Sequence, residues 1–131
     1  MSAYKVYGDS LSGNCLKVKW TLDLVGQSYA WIETSVLKGE TRAEKFLDLN
    51  PAGQVPLLIT PAGEPLAQSN AIILFLAETH GGDLLPKGAF ARAKVYEWLF
   101  WEQYSHEPYI AVRRFQKFYL NKADADIDPS L

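Results

Sequence analysis

The sequence predicts an α/β fold in which helices cover a mixed β-sheet. Strand-like and helix-like segments follow each other in the order β-α-β-α-β-β-α over residues 1–80. The chain has 131 residues, which is long enough for a real core, and its 48% hydrophobic and 21% charged residues are ordinary for a globular protein. From residue 90 onward the pattern is helical only, so a second, all-α region is expected.

The first strand and helix are read from a change of period. Tyr4 to Tyr7 is a short strand, and turn-forming residues 8–13 follow it. Apolar residues then recur at steps of three and four, which places them on one helical face: Cys15, Val18, Leu22 and Val25. Gly26 is expected to end this helix as its C′ residue.

The next elements alternate in the same way. Residues 38–49 are polar and weakly helical, and Ser69 or Asn70 can cap the third helix, which ends at Gly81. The remaining three strands are predicted at Ser28–Thr34, Val55–Ile59 and Leu66–Ala67.

A linker at 81–89 separates the first domain, residues 1–80, from helices over 90–131. Ten of the chain's aromatic residues fall between Phe90 and Tyr119, so this segment must bury much surface against something. Pro108 is expected to bend or break the helix, which then resumes to about Leu120. The acidic tail, residues 121–131, is expected to be mobile.

Composition excludes several classes of function. A net charge of -2 gives no reason to expect nucleic acid as a partner, and no basic amphipathic or long apolar run indicates a membrane. The single cysteine excludes an internal disulfide and a four-thiolate zinc site, and no metal is expected. A reducing, cytoplasmic location fits best.

Ser12, Asn14 and Cys15 form the first candidate site. They lie where a strand gives way to a helix N-terminus, which favours negative charge and lowers the pKa of a nearby thiol. The Ser12 hydroxyl and the Asn14 amide can each donate a hydrogen bond to sulfur. The alternative is that Ser12 only caps the helix and that Cys15 is a small core residue.

Two further segments are candidates with equally plain alternatives. A proline within a strand, at Pro56, removes a ladder donor, and a cis Val55–Pro56 bond would turn the Val55 main chain toward an extended ligand. The alternative is a trans proline at an edge. Gln68, Ser69 and Asn70 can hold a carboxylate at a helix N-terminus, or they can act as a simple cap.

Together these segments resemble the glutathione S-transferase family, from about Tyr4 through Leu120. The resemblance is carried by four stretches: SGNCLKV, LKGETRAEKFLDLNPAGQVPLL, LAQSNAIILFLAE and RAKVYEWLFWEQYSHEPYIAVRRF. It implies a thioredoxin-like first domain that binds glutathione, followed by the first helices of an all-α domain.

The resemblance also implies roles for single residues. Val55, with a cis Pro56, would pair its main chain with the cysteine of glutathione. Gln68 and Ser69 would hold the γ-glutamyl carboxylate, and Gln54 and Lys38 would lie near the glycine end. The residue that activates the thiol would be Ser12, Asn14 or Cys15.

The activity implied is that of a glutathione transferase, with glutathione as cosubstrate and a small electrophile as second substrate, as in detoxification. The alternatives are a glutathione-dependent disulfide reductase and a non-catalytic glutathione-binding or assembly domain. Family members continue for several helices beyond the point that Leu131 reaches. The uncovered aromatic segment is expected either in a fragment or in a short form that associates, and we predict an oligomer, most simply a homodimer.

Overall fold

Four strands form one mixed sheet in the order β2-β1-β3-β4 in the computed structural model, which describes residues 3–131. β1 pairs in parallel with β2 and antiparallel with β3, and β3 pairs antiparallel with β4. The bounds of the strands are β1 Tyr4–Gly8, β2 Tyr29–Glu33, β3 Leu57–Ile59 and β4 Pro65–Ala67. This is the predicted α/β arrangement, and it is thioredoxin-like.

The helices of the first unit, which ends at Leu85, pack on this sheet. They are α1 Gly13–Leu24, the short α2 Glu44–Leu47 and α3 Ser69–His80, with a 3-10 turn at Glu40–Arg42. Strands and helices contribute fully buried side chains to one core cluster, among them Val6, Leu58, Val18, Leu22, Ile72 and Leu76. Burial of each large apolar side chain contributes about 1.5–3 kcal/mol. The core therefore fixes α1 and α3 relative to β1.

Among the element ends that differ from the sequence prediction, two bear on the candidate site. β3 begins at Leu57 rather than Val55, because Pro56 has no N–H to continue the ladder. The N-cap of α3 is Gln68 rather than Ser69 or Asn70, and Ser69 is the first residue of the helix. Gly26, by contrast, has a φ of 67° immediately after the C-cap of α1, as predicted for a C′ glycine.

The second unit, Pro86–Leu131, is helical. Its helices are α4 Ala89–Trp101 and α5 Glu107–Arg114, with π-helical turns at Glu102–His106 and Phe115–Tyr119. Pro108 does not end the helical segment, because it lies in the first turn of α5, where a missing N–H costs least. The predicted irregularity appears instead as the π-helical turn that precedes it.

The acidic tail contacts the preceding helical segment of the second unit. The Lys117 Nζ lies 2.6 Å from an Asp124 carboxylate oxygen, and the Arg113 guanidinium donates to the Leu131 carbonyl at 3.2 Å. Ile127, in the same tail, is only 3% exposed. The predicted mobility of the tail stays a prediction, since these contacts show where the tail lies and not how much it moves.

Candidate functional site

Ser12 caps α1 and also retains a hydrogen to donate. Its Oγ accepts a hydrogen bond from the Cys15 N–H at 3.3 Å, and its backbone is extended, with φ of -86° and ψ of 122°. A serine hydroxyl has one donor as well as two acceptor lone pairs. Because the cap uses only a lone pair, capping and donation to a ligand sulfur are compatible rather than alternative roles.

Cys15 lies in the core, on the face of α1 that also carries Val18 and Leu22. Its side chain is 0% exposed, and its Sγ accepts a hydrogen bond from the Asp9 N–H at 3.4 Å. Burial raises the pKa of the Cys15 thiol, and this effect outweighs the hydrogen bonds from Ser12 and Asp9, which act in the opposite direction. The thiol is therefore neutral at neutral pH and poorly nucleophilic.

Asn14 and Ser69 join the first turns of α1 and α3. The buried Ser69 hydroxyl donates to the Asn14 Oδ1 at 3.1 Å. A second link lies beside it, since the Lys17 Nζ donates to the Asn70 Oδ1 at 3.0 Å. Asn14, predicted to lie at the sulfur end of the ligand, is thus in direct contact with Ser69, predicted to lie at its γ-glutamyl end.

The Val55–Pro56 peptide bond is cis, in agreement with the resemblance. Among residues 3–131, the Val55 N–H and C=O take part in no hydrogen bond, although Val55 is part-buried. Asn50, which the sequence analysis does not select, shapes the turn that precedes Val55. Its amide donates to the Gln54 carbonyl at 2.8 Å and its Oδ1 accepts from the Ala52 N–H at 3.2 Å. The Asn-Pro pair at positions 50 and 51 is the turn signal that could have indicated it.

Gln68 has a backbone conformation that is uncommon outside glycine, with φ of 72° and ψ of 114°. Such a conformation costs about 1–3 kcal/mol and is found often at ligand sites. The side chain is exposed at the N-cap of α3, next to Ser69. Its position is therefore suited to a ligand carboxylate at this helix N-terminus.

Lys38 and Gln54 lie on separate exposed loops. Among the described residues, neither has a hydrogen bond to the other candidates. Arg42, a residue missed by the sequence analysis, packs over Gly53, where an added Cβ would lie only 2.7 Å from its Nη1. A guanidinium therefore lies beside the residue that precedes Gln54, a contact that sequence spacing does not reveal.

Residues 3–131 contain neither a metal-binding cluster nor a membrane-spanning helix. No group of three or more His, Cys, Asp or Glu side chains in this range could hold a metal ion. No helix in the same range has the length and apolar character needed to cross a membrane.

Several known proteins resemble this chain in sequence and in structure. A family model described as "Glutathione S-transferase, N-terminal domain" matches residues 11–79. Glutathione S-transferase 3 of Zea mays is 34% identical, over 88% of this chain and 53% of the relative. The crystal structure of a glutathione S-transferase from Pseudomonas fluorescens is 47% identical with a TM-score of 0.88, over 95% of this chain and 61% of that one.

A further solved structure, that of Ure2p in complex with glutathione, is 26% identical with a TM-score of 0.80 and covers 89% of this chain and 56% of that one. The chain thus spans roughly half to three fifths of the length of these relatives.

We predict that Cys15 is protected from thiol reagents in the native chain. Labelling with an aromatic disulfide reagent should be roughly 100-fold slower than in denaturant, because exposing a core thiol requires an opening that costs several kcal/mol. Because burial raises the pKa of Cys15, raising the pH toward the ordinary thiol range should not yield a reactive thiolate while the chain stays folded. Equal rates for the native and unfolded chains would contradict the buried placement.

Proposed function

We propose that this chain, which belongs to the glutathione S-transferase family, binds glutathione and activates its thiol for addition to an electrophile. The observation that carries the proposal is the position of the Ser12 hydroxyl at the N-cap of α1, where it accepts through a lone pair and could turn its hydrogen from the Cys15 sulfur to a ligand sulfur. The N-terminus of α1, a 12-residue helix, adds a favourable field for a thiolate.

The rest of the tripeptide follows from the neighbouring groups. The Val55 N–H and C=O, which no residue of 3–131 engages, would pair with the cysteine of glutathione as in strand addition. Gln68 and Ser69 would hold the γ-glutamyl carboxylate at the start of α3. Lys38, Gln54 and Arg42 would surround the glycine end, where the two cations suit its carboxylate.

The reaction would be a simple conjugation. The thiol of bound glutathione loses its proton to solvent, the sulfur lone pair forms a bond to the electrophilic carbon, and the displaced group or electron pair leaves on the electrophile. The chain's contribution would be thiolate stabilisation and orientation. A hydrogen bond to a charged group contributes about 1.5–3 kcal/mol, which corresponds to a thiol pKa lowered by roughly one to two units.

The structure weighs against the reductase alternative as far as Cys15 is concerned. A reductase that forms a mixed disulfide needs an accessible thiolate, whereas Cys15 is fully buried with a raised pKa. The non-catalytic alternative differs from a transferase in one respect only, since glutathione would bind without its thiol being activated. Substitutions of Ser12 therefore distinguish a transferase from a domain that binds glutathione without catalysis.

We predict that three substitutions of Ser12 separate helix capping from thiol activation. Ser12→Ala removes both roles, Ser12→Thr keeps both, and Ser12→Asp keeps the cap but has no hydroxyl hydrogen and adds a negative charge. Ultraviolet absorbance should show the thiol pKa of bound glutathione raised by about one unit or more in the alanine and aspartate variants. Conjugation of chlorodinitrobenzene at neutral pH should fall roughly tenfold or more in both.

The threonine variant serves as the control and should stay close to the wild type. The free energy of unfolding should fall by about 1 kcal/mol for Ser12→Ala but change little for Ser12→Asp. Such a result would separate helix capping from thiol activation. An aspartate variant as active as the wild type would refute activation by the Ser12 hydroxyl. Glutathione binding with no conjugation by any variant would favour the non-catalytic alternative.

We also propose that the chain associates as a homodimer through its second unit. Several large side chains of this unit are exposed in the single chain, including Phe90 at 80%, Phe100 at 73% and Tyr104 at 84%. Monomers rarely expose so many neighbouring apolar groups. A second copy, with the same face, would cover them isologously.

Light scattering over a range of concentrations is expected to give the mass of a dimer. Phe100→Glu should shift the mass toward the monomer, because a charge would be buried in the interface. Ala91→Glu is the matched control. Ala91 lies about two and a half turns before Phe100 and therefore on the opposite side of α4. A well-behaved wild-type monomer at high concentration would refute the dimer.

A further inference from the structure

Asp9 is a buried carboxylate that joins two loops of the first unit. It is 5% exposed, and its Oδ1 and Oδ2 accept from the Leu11 N–H and the Val36 N–H, both at 2.9 Å. The last backbone bond between β1 and β2 runs from the Thr34 N–H to the Gly8 carbonyl at 2.9 Å. The Asp9 side chain therefore continues the connection between the two segments just beyond the end of the ladder.

The backbone amides of Ser10, Leu11 and Ser12 are all engaged within the first unit. The Ser10 N–H donates to the Glu33 Oε1, the Leu11 N–H to the Asp9 carboxylate and the Ser12 N–H to the Asp9 carbonyl, each at 2.9 Å. These three successive amides are therefore occupied and the loop is rigidly held. The donor that the loop can offer to a ligand is then the Ser12 hydroxyl.

We propose that Asp9 is a positioning residue that places the Ser12 hydroxyl and the segment leading to Lys38 in register with each other. Val36, which Asp9 holds, is two residues before Lys38 along the chain. Through one carboxylate, Asp9 thus couples the sulfur end of the site to its glycine end. The inference rests on the proposed glutathione site and assigns no ligand contact to Asp9 itself.

Substituting Asp9 changes glutathione affinity and the thiol pKa in opposite directions, depending on whether Asp9 acts by positioning other groups or by its negative charge. Glutathione is an anion and its thiolate is a second negative centre, so neutralising Asp9 by charge alone would tighten binding and lower the thiol pKa. Loss of positioning has the opposite consequences, since the Ser12 hydroxyl and the Lys38 segment would move away from the ligand. A purely structural role would change stability and leave both quantities where they were.

The test uses Asp9→Asn, which keeps the size of the side chain but turns an NH₂ group toward one of the two N–H donors. Asp9→Ser is the second variant, because a hydroxyl can still accept from the Leu11 N–H but is too short to reach Val36. The matched control is Asp23→Asn. In the wild type the Asp23 carboxylate accepts from the Tyr29 hydroxyl at 2.9 Å, near the other end of α1. Three quantities are measured: affinity for S-methylglutathione, the thiol pKa of bound glutathione and the unfolding midpoint.

We expect both Asp9 variants to bind S-methylglutathione roughly threefold or more weakly, with a raised thiol pKa, while Asp23→Asn stays near the wild type in both respects. Unchanged or tighter binding in the Asp9 variants would overturn the inference, whatever happens to the unfolding midpoint. A wild-type chain that binds neither glutathione nor S-methylglutathione would instead overturn the proposed function and this inference with it.

Discussion

The hydrogen bond from Ser69 to the Asn14 Oδ1 joins the first turns of α1 and α3, and the candidate site depends on this link. Both helices are already fixed on the sheet by buried side chains such as Leu22 and Ile72. The link then sets where the start of one helix lies relative to the start of the other. A tripeptide held at its sulfur by Ser12 and at its γ-glutamyl end by Gln68 needs this spacing to be constant.

The same region shows how one residue combines structural and chemical roles. Ser12 stabilises α1 by accepting from the Cys15 N–H, and this bond uses a lone pair of the oxygen rather than the hydroxyl hydrogen. Cys15, only three residues further, faces the core, where burial keeps its thiol neutral. Ser12 and Cys15 differ because of helical geometry. Cys15 lies on the buried face of α1, whereas Ser12 lies at the N-terminal end of that helix.

Much of the fold was predictable, because strand and helix periods are local properties of the sequence. The order of elements and the C′ glycine at Gly26 follow from such patterns. The linking role of Asp9 was not predictable, since its more distant partner, Val36, is 27 residues away and contributes only a backbone N–H. The contact between Arg42 and Gly53 and the pairing of Lys117 with Asp124 were also missed, because the path of the folded chain rather than a helical or strand period brings each pair together. Composition gives the number of charged residues but does not show which residues contact them in the folded chain.

The most direct test of the account is a crystal structure of this chain with glutathione. We predict the ligand sulfur within about 3.5 Å of the Ser12 Oγ, with the cysteine of glutathione paired to the Val55 main chain. The γ-glutamyl carboxylate should lie at the N-terminus of α3, against Gln68 and Ser69. A sulfur bonded to Cys15, or a tripeptide bound away from Val55, would contradict the account.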